Sequence, residues 1–203
     1  MRPRYAFGYG KSYTSFEIQY QDILLQKDHI TVLAAVTNTG SVSGRQVVQL
    51  YAGVPFGIGS EHKRLIAFGK TGLLNPGESE TLSLSFSCRD LSVYDENKSA
   101  WMLRAGDYVL CLGSAADETE PVFRLVMERE ALLEQCAPIC PMNRPVAEIT
   151  PPPRAKEEYS LPFAVLDPWV PESVFHTYDT PEEGPDALIS SMTDEQLVNL
   201  VIG

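Results

Sequence analysis

Between Thr81 and Ser87 the chain alternates with almost no exception: Leu82, Leu84 and Phe86 fall on one side, Ser83, Ser85 and Ser87 on the other. A period of two with one apolar face is the signature of a half-buried antiparallel strand. The same pattern predicts strands over 16–20, 30–36, 46–53, 65–68, 100–103 and 122–127. In the second of these, Ile30, Val32, Ala34 and Val36 share a face. Tyr108, Leu110 and Leu112 line another. Turn chemistry separates the runs: Asn38 to Gly44, the glycine-rich 55–60 loop, Leu73 to Glu78, and the hairpin loop from Asp90 to Lys98. Leu103 to Tyr108 has the spacing of a tyrosine corner, in which the phenol bonds back to the preceding turn. About seven or eight short strands at this spacing predict an all-β, immunoglobulin-like two-sheet Greek-key sandwich.

The pattern stops at about Glu134. Eleven of the 15 prolines lie at or beyond Pro138, including Pro151-Pro152-Pro153. This composition predicts an extended, partly polyproline-like tail, with Tyr159, Phe163, Trp169 and Phe175 available to dock on a neighbouring surface. Helical spacing returns near Pro185. Thr193 and Gln196 have the spacing of a capping box, and Leu197, Leu200 and Val201 make an apolar stripe. The expected organisation is a latch segment over 1–15, the sandwich over 16–128, a Pro-rich acidic linker over 129–184, and a short helix within 185–203 that opens a further domain.

Charge sharpens this division. Residues 1–128 hold 12 Lys/Arg against 14 Asp/Glu, whereas residues 129–203 hold 4 against 13, out of a net −11. An acidic tail offers no cationic surface for nucleic acid. No run of about 18 apolar residues exists, so no membrane span is expected. Arg2 and Arg4 are followed by no apolar stretch of a signal peptide. Cys88 and Cys111 read as small core residues in strands. Cys136 and Cys140 lack the second ligand pair that a zinc site needs, so no metal and no cofactor is expected. Thiols without a signal sequence suggest a cytoplasmic setting.

Candidate functional residues are few. Phe7, Tyr9 and Tyr13, in a glycine-rich run, read as an apolar latch between domains rather than a sugar-stacking platform, because the run leads straight into a strand. Phe56 in the glycine-rich loop, with Tyr94 and Trp101 near the hairpin, are the candidates for sugar contact. The closest-set acids are Asp95/Glu96 and Asp194/Glu195. The first pair would point to opposite faces if extended, and the second suits the first turn of a helix, so no catalytic residue is assigned.

Five spaced motifs carry a resemblance: Phe7 to Thr14, Thr37 to Gly40, Val47 to Tyr51, Leu74 to Glu78, and Leu91 to Asp95. In this order they resemble the fibronectin type III-like domain of glycoside hydrolase family 3, the β-glucosidase family, over roughly residues 5–128. Met192 to Val198 is similar to the first helix of the family's catalytic (β/α)8 barrel. The resemblance implies a permuted arrangement: an α/β sandwich domain, then this module, then the barrel. It implies retaining hydrolysis of β-glucosides by two carboxylates that lie in those other domains. On this reading the chain is an inactive fragment that stabilises and positions its partners, the α/β sandwich and barrel domains of one enzyme. A carbohydrate-binding module and an independent protein-interaction sandwich are the alternatives.

Overall fold

Residue 30 begins a row of side chains that shows how the sandwich closes. Ile30, Val32, Ala34 and Val36 are each fully buried, and Asn38 continues the same row. Intervening residues face outward, as a pleated strand requires. The computed structural model describes residues 4–26, 29–55, 61–137, 160–167, 191–193 and 196–197.

In chain order the strands are β1 (Phe16–Leu25), β2 (His29–Asn38), β3 (Val47–Gly53), β4 (Arg64–Lys70), β5 (Ser79–Ser87), β6 (Val93–Asp95), β7 (Ala100–Leu103), β8 (Gly106–Ala115), β9 (Glu118–Met127), β10 (Ala131–Gln135) and β11 (Phe163–Val165), with a 3-10 turn at Cys88–Leu91. One sheet has the order β1-β2-β5, and the second β11-β9-β8-β3-β4. A small third sheet, β10-β7-β6, extends the hairpin region. The expected all-β sandwich is therefore the observed architecture. Its core joins Val32, Val36, Leu84 and Phe86 of the first sheet to Val48, Leu50, Leu110 and Leu125 of the second. Burying such side chains stabilises by roughly 1.5–3 kcal/mol each.

β1 is longer than the alternation predicts, for a local reason. Its register against β2 shifts between Tyr20 and Asp22, leaving Gln21 as a bulge. Phe16, Ile18 and Tyr20 pack on the core in one phase, and Ile23 packs on it in the other. A single extra residue thus breaks the sequence period without ending the strand.

The predicted tyrosine corner forms. Tyr108 is buried, its hydroxyl accepts from the Arg104 N–H at 2.9 Å, and it donates to the Arg104 carbonyl at 3.1 Å. Gly106 makes the crossover possible: its φ is 131°, and a Cβ there would stand 2.8 Å from Cβ of Pro55.

Two strands fall inside the stretch that composition reads as linker. β10 pairs antiparallel with β7, and β11 pairs parallel with β9. The Arg124 N–H donates to the Pro162 carbonyl at 3.0 Å, and the Leu166 N–H donates to the Val126 carbonyl at 2.8 Å. Leu166 enters the core, and Phe163 lies against the Arg124 guanidinium at 5.4 Å. The edge of a sheet recruits backbone, so a five-residue strand needs little side-chain pattern to form. Over residues 160–167 the chain docks on its own sandwich. At the far end Gln196 N–H donates to Thr193 Oγ1 at 3.3 Å and Thr193 N–H to Gln196 Oε1 at 2.9 Å, completing the capping box. The remainder of the expected helix lies outside the described residues.

Candidate functional site

The segment before β1 is pinned by its backbone and turned outward by its rings. The Ala116 N–H donates to the Phe7 carbonyl at 2.8 Å. Gly8, with φ at 85°, lies so close over Gln49 that a Cβ would stand 2.1 Å from its Nε2. Only glycine fits there. At the other end Thr39 and Gly40 donate their N–H groups to the Ser15 carbonyl, at 2.9 and 3.2 Å. Between these anchors Phe7 is 70% exposed, Tyr9 47% and Tyr13 99%. Tyr9 packs on Tyr5 with centroids 4.9 Å apart. A groove of about 1260 Å³ runs beside the segment, lined among others by Lys11, Thr14, Arg45, Lys70 and Glu118.

Asn38 connects this segment to the sandwich. Its Nδ2 donates to the Val42 and Leu74 carbonyls, each at 2.9 Å. Its Oδ1 accepts from the Thr14 hydroxyl at 2.7 Å and from the Gly40 N–H at 3.1 Å. Its own N–H and carbonyl bond Glu78 and Gly77 at 2.9 and 2.8 Å. A buried amide with every donor and acceptor used is costly to replace. Sequence reading places Asn38 in a turn. Its position at the inward end of β2 makes it a junction of two loops and the segment before β1.

The hairpin brings two of the candidate sugar-contact residues together. Tyr94 on β6 is directly opposite Trp101 on β7. Their rings meet edge to face with centroids 5.6 Å apart, and they are 39% and 36% exposed. Phe56, the third candidate, lies outside the described residues. Beside Trp101 is an open pocket of about 360 Å³, lined by Arg64, Leu65, Ile66, Arg89, Asp90 and Ser92. Arg64 Nη1 donates to the carbonyls of Asp90 and Ser92, at 2.9 and 2.7 Å, while its Nε pairs with Glu61. Arg89 pairs with Glu134 of β10. No sequence signal links Arg64, Arg89 and Trp101; the 3-10 turn and two sheets bring them together.

Below the pair, Asp95 closes the hairpin. Its Oδ1 accepts from the Asn97 and Lys98 N–H groups at 3.0 and 3.1 Å, and its Oδ2 accepts from Arg104 Nη2 at 2.8 Å. Desolvation pushes its pKa up, but the Lys98 N–H, the Arg104 guanidinium and the Asn97 N–H outweigh it and hold the carboxyl below the ordinary value. Glu130 is held low as well, first by Lys98 and then by Arg104. Asp95 is thus a fixed anion with its oxygens committed, and its work is to shape the turn. Burial drives the Tyr108 phenol up to about 12.

Residues 46–116 match the fibronectin type III-like domain family. A β-glucosidase of Ruminococcus albus is 35% identical over 155 residues, covering 71% of this chain and 16% of the relative. The β-glucosidase structure from Paenibacillus barengoltzii superposes with a TM-score of 0.61 at 37% identity, covering 65% of this chain and 16% of that one. β-Glucosidase 3B from Thermotoga neapolitana, in complex with α-D-glucose, gives a TM-score of 0.59 at 34% identity, over 64% of this chain and 18% of the other. The chain thus spans under a fifth of the length of the relatives it matches.

Proposed function

Because the sandwich is a fibronectin type III-like domain of the kind carried by glycoside hydrolase family 3 β-glucosidases, we propose that it serves as a non-catalytic module that stabilises and positions the catalytic domains of such an enzyme. The observation that carries this reading is the latch. Its backbone is bonded to the sandwich at both ends, while Phe7, Tyr9 and Tyr13 present rings to solvent. Large apolar rings presented at the surface by a segment whose backbone is tied down suit contact with another body. The chain spans only 16% of such a relative, which leaves room for the partners that the family resemblance implies, an α/β sandwich domain and a (β/α)8 barrel of one polypeptide. The substrate of that assembly is a β-glucoside, and its setting is cytoplasmic.

The test is made in the full-length enzyme. Replacing Phe7, Tyr9 and Tyr13 together by Ser is expected to shorten the half-life of thermal inactivation several-fold while leaving KM for an aryl β-glucoside unchanged. An unchanged half-life overturns the reading. The 203-residue chain alone is expected to hydrolyse no aryl β-glucoside beyond a contaminant control.

A further inference from the structure

We propose that the pocket beside Trp101 binds a neutral sugar, with the indole as stacking face and Arg64, Arg89 and Asp90 as the hydrogen-bonding rim. The inference goes beyond the interdomain role and does not rest on it, because the latch is built by a different stretch of chain.

Trp101 belongs to the central strand of the small sheet, yet more than a third of it remains in solvent. Tyr94 meets it edge to face and so fixes its tilt. An aromatic face held in one orientation offers the C–H side of a pyranose a ready surface and costs little entropy on binding.

Two guanidiniums lie beside the indole, and each is already compensated: Arg64 by Glu61, Arg89 by Glu134. Charge neutrality disfavours a phosphate or carboxylate ligand. What remains are directional N–H donors, among them Arg64 Nη2, and the Asp90 carboxylate, while the Ser92 hydroxyl donates to the Arg89 carbonyl at 2.7 Å and so braces the turn. Hydroxyl groups, which donate and accept together, match that inventory. Asp90 accepts from the Ser87 N–H at 2.8 Å through Oδ2, so its side chain is fixed in place. Arg64 is held by two carbonyls.

A pocket of about 360 Å³ lies at the lower end of the range typical of small-ligand sites, roughly 300–1,000 Å³. It suits one or two sugar rings at an open surface.

The experiment uses the 203-residue chain, in which only Trp101 and Trp169 are tryptophans. In a Trp169→Phe background, Trp101 is the sole indole reporter. Titration with cellobiose, and separately with a soluble β-glucan, is expected to give a saturable fluorescence change with Kd of about 1 mM. By calorimetry Trp101→Phe is expected to weaken binding several-fold, and Trp101→Ala to weaken it at least about tenfold. Arg89→Ala, at an exposed position, is expected to weaken it a few-fold without altering the fold, which guards against a Trp101 variant that merely unfolds. No saturable change with either sugar overturns the proposal. So does binding that survives Trp101→Ala. A fluorescence change that depends on protein concentration instead of sugar would make this face a protein contact, and the proposal would fall.

Discussion

Asn38 and Asp95 both gather donors at the end of a strand, but one is a neutral amide sealed in the core and the other a buried carboxylate whose charged partners reach solvent. Asn38 bonds two loops and the segment before β1, and it carries no charge in any pH range. Asp95 bonds one hairpin and depends on Arg104, which also reaches Glu130 at 3.3 Å. A neutral junction inside low-dielectric surroundings is insensitive to salt and pH, and its failure leaves several buried groups unpaired. A charged junction whose arginine and second carboxylate reach water can be weakened by protons and screened by salt. The sandwich is thus held rigidly where its loops converge and more softly where the hairpin carries Tyr94 and Trp101.

Substitutions at the two junctions would separate them, and the largest effect is expected at Asn38. Asn38→Ala takes the amide donor from the Val42 carbonyl and the acceptor from the Thr14 hydroxyl, leaving Leu74 only the Gly44 N–H, and should cost about 3 kcal/mol in urea unfolding, flat from pH 5 to 8. A cost that varies with pH would break the contrast. Leu166→Ala should come next, at about 2 kcal/mol, because its side chain completes the core from the docked tail. If urea melts show no change, the tail does not contribute to folding.

Tyr108→Phe removes the corner hydroxyl and should cost about 1 kcal/mol at neutral pH. The folded phenol titrates above its ordinary value, at about 12. Its contribution is therefore fully present below pH 10 and lost as pH rises through about 12, which an alkaline stability profile of the wild type against Tyr108→Phe would read. Asp95→Asn should have the smallest effect at neutral pH. The folded pKa is depressed, so the carboxylate's contribution is present above its unfolded value near about 4 and lost as pH falls through the folded one. The gap between wild type and Asp95→Asn should therefore close in acid and narrow in high salt. A gap that persists at low pH would mean the turn is held by shape and not by charge.

How much was legible beforehand differs along the chain. The row from Ile30 to Val36 and the serine–leucine alternation of β5 could be read directly, because a period of two fixes which side chains face in. Tyr108 could also be placed in its corner, since that bond spans only four residues. β1 was read short because the bulge at Gln21 reverses the phase. β10 and β11 were missed because an edge strand takes its hydrogen bonds from a neighbour and needs no pattern of its own. Tyr94 and Trp101 were nameable as exposed rings beside a hairpin; the pocket next to them was not.

Alternation, turn chemistry, the capping box at Thr193 and the glycines that permit a left-handed backbone are local terms, written in the order of residues. Each depends on residues within a few positions of one another. Which distant groups meet follows from the folded chain alone. Arg64 and Trp101 share a pocket because two sheets converge on one 3-10 turn, and Asn38 is a junction because β2 delivers it among two loops and the segment before β1. Those contacts depend on chain crossings in space, and a pattern read along one dimension carries no record of them.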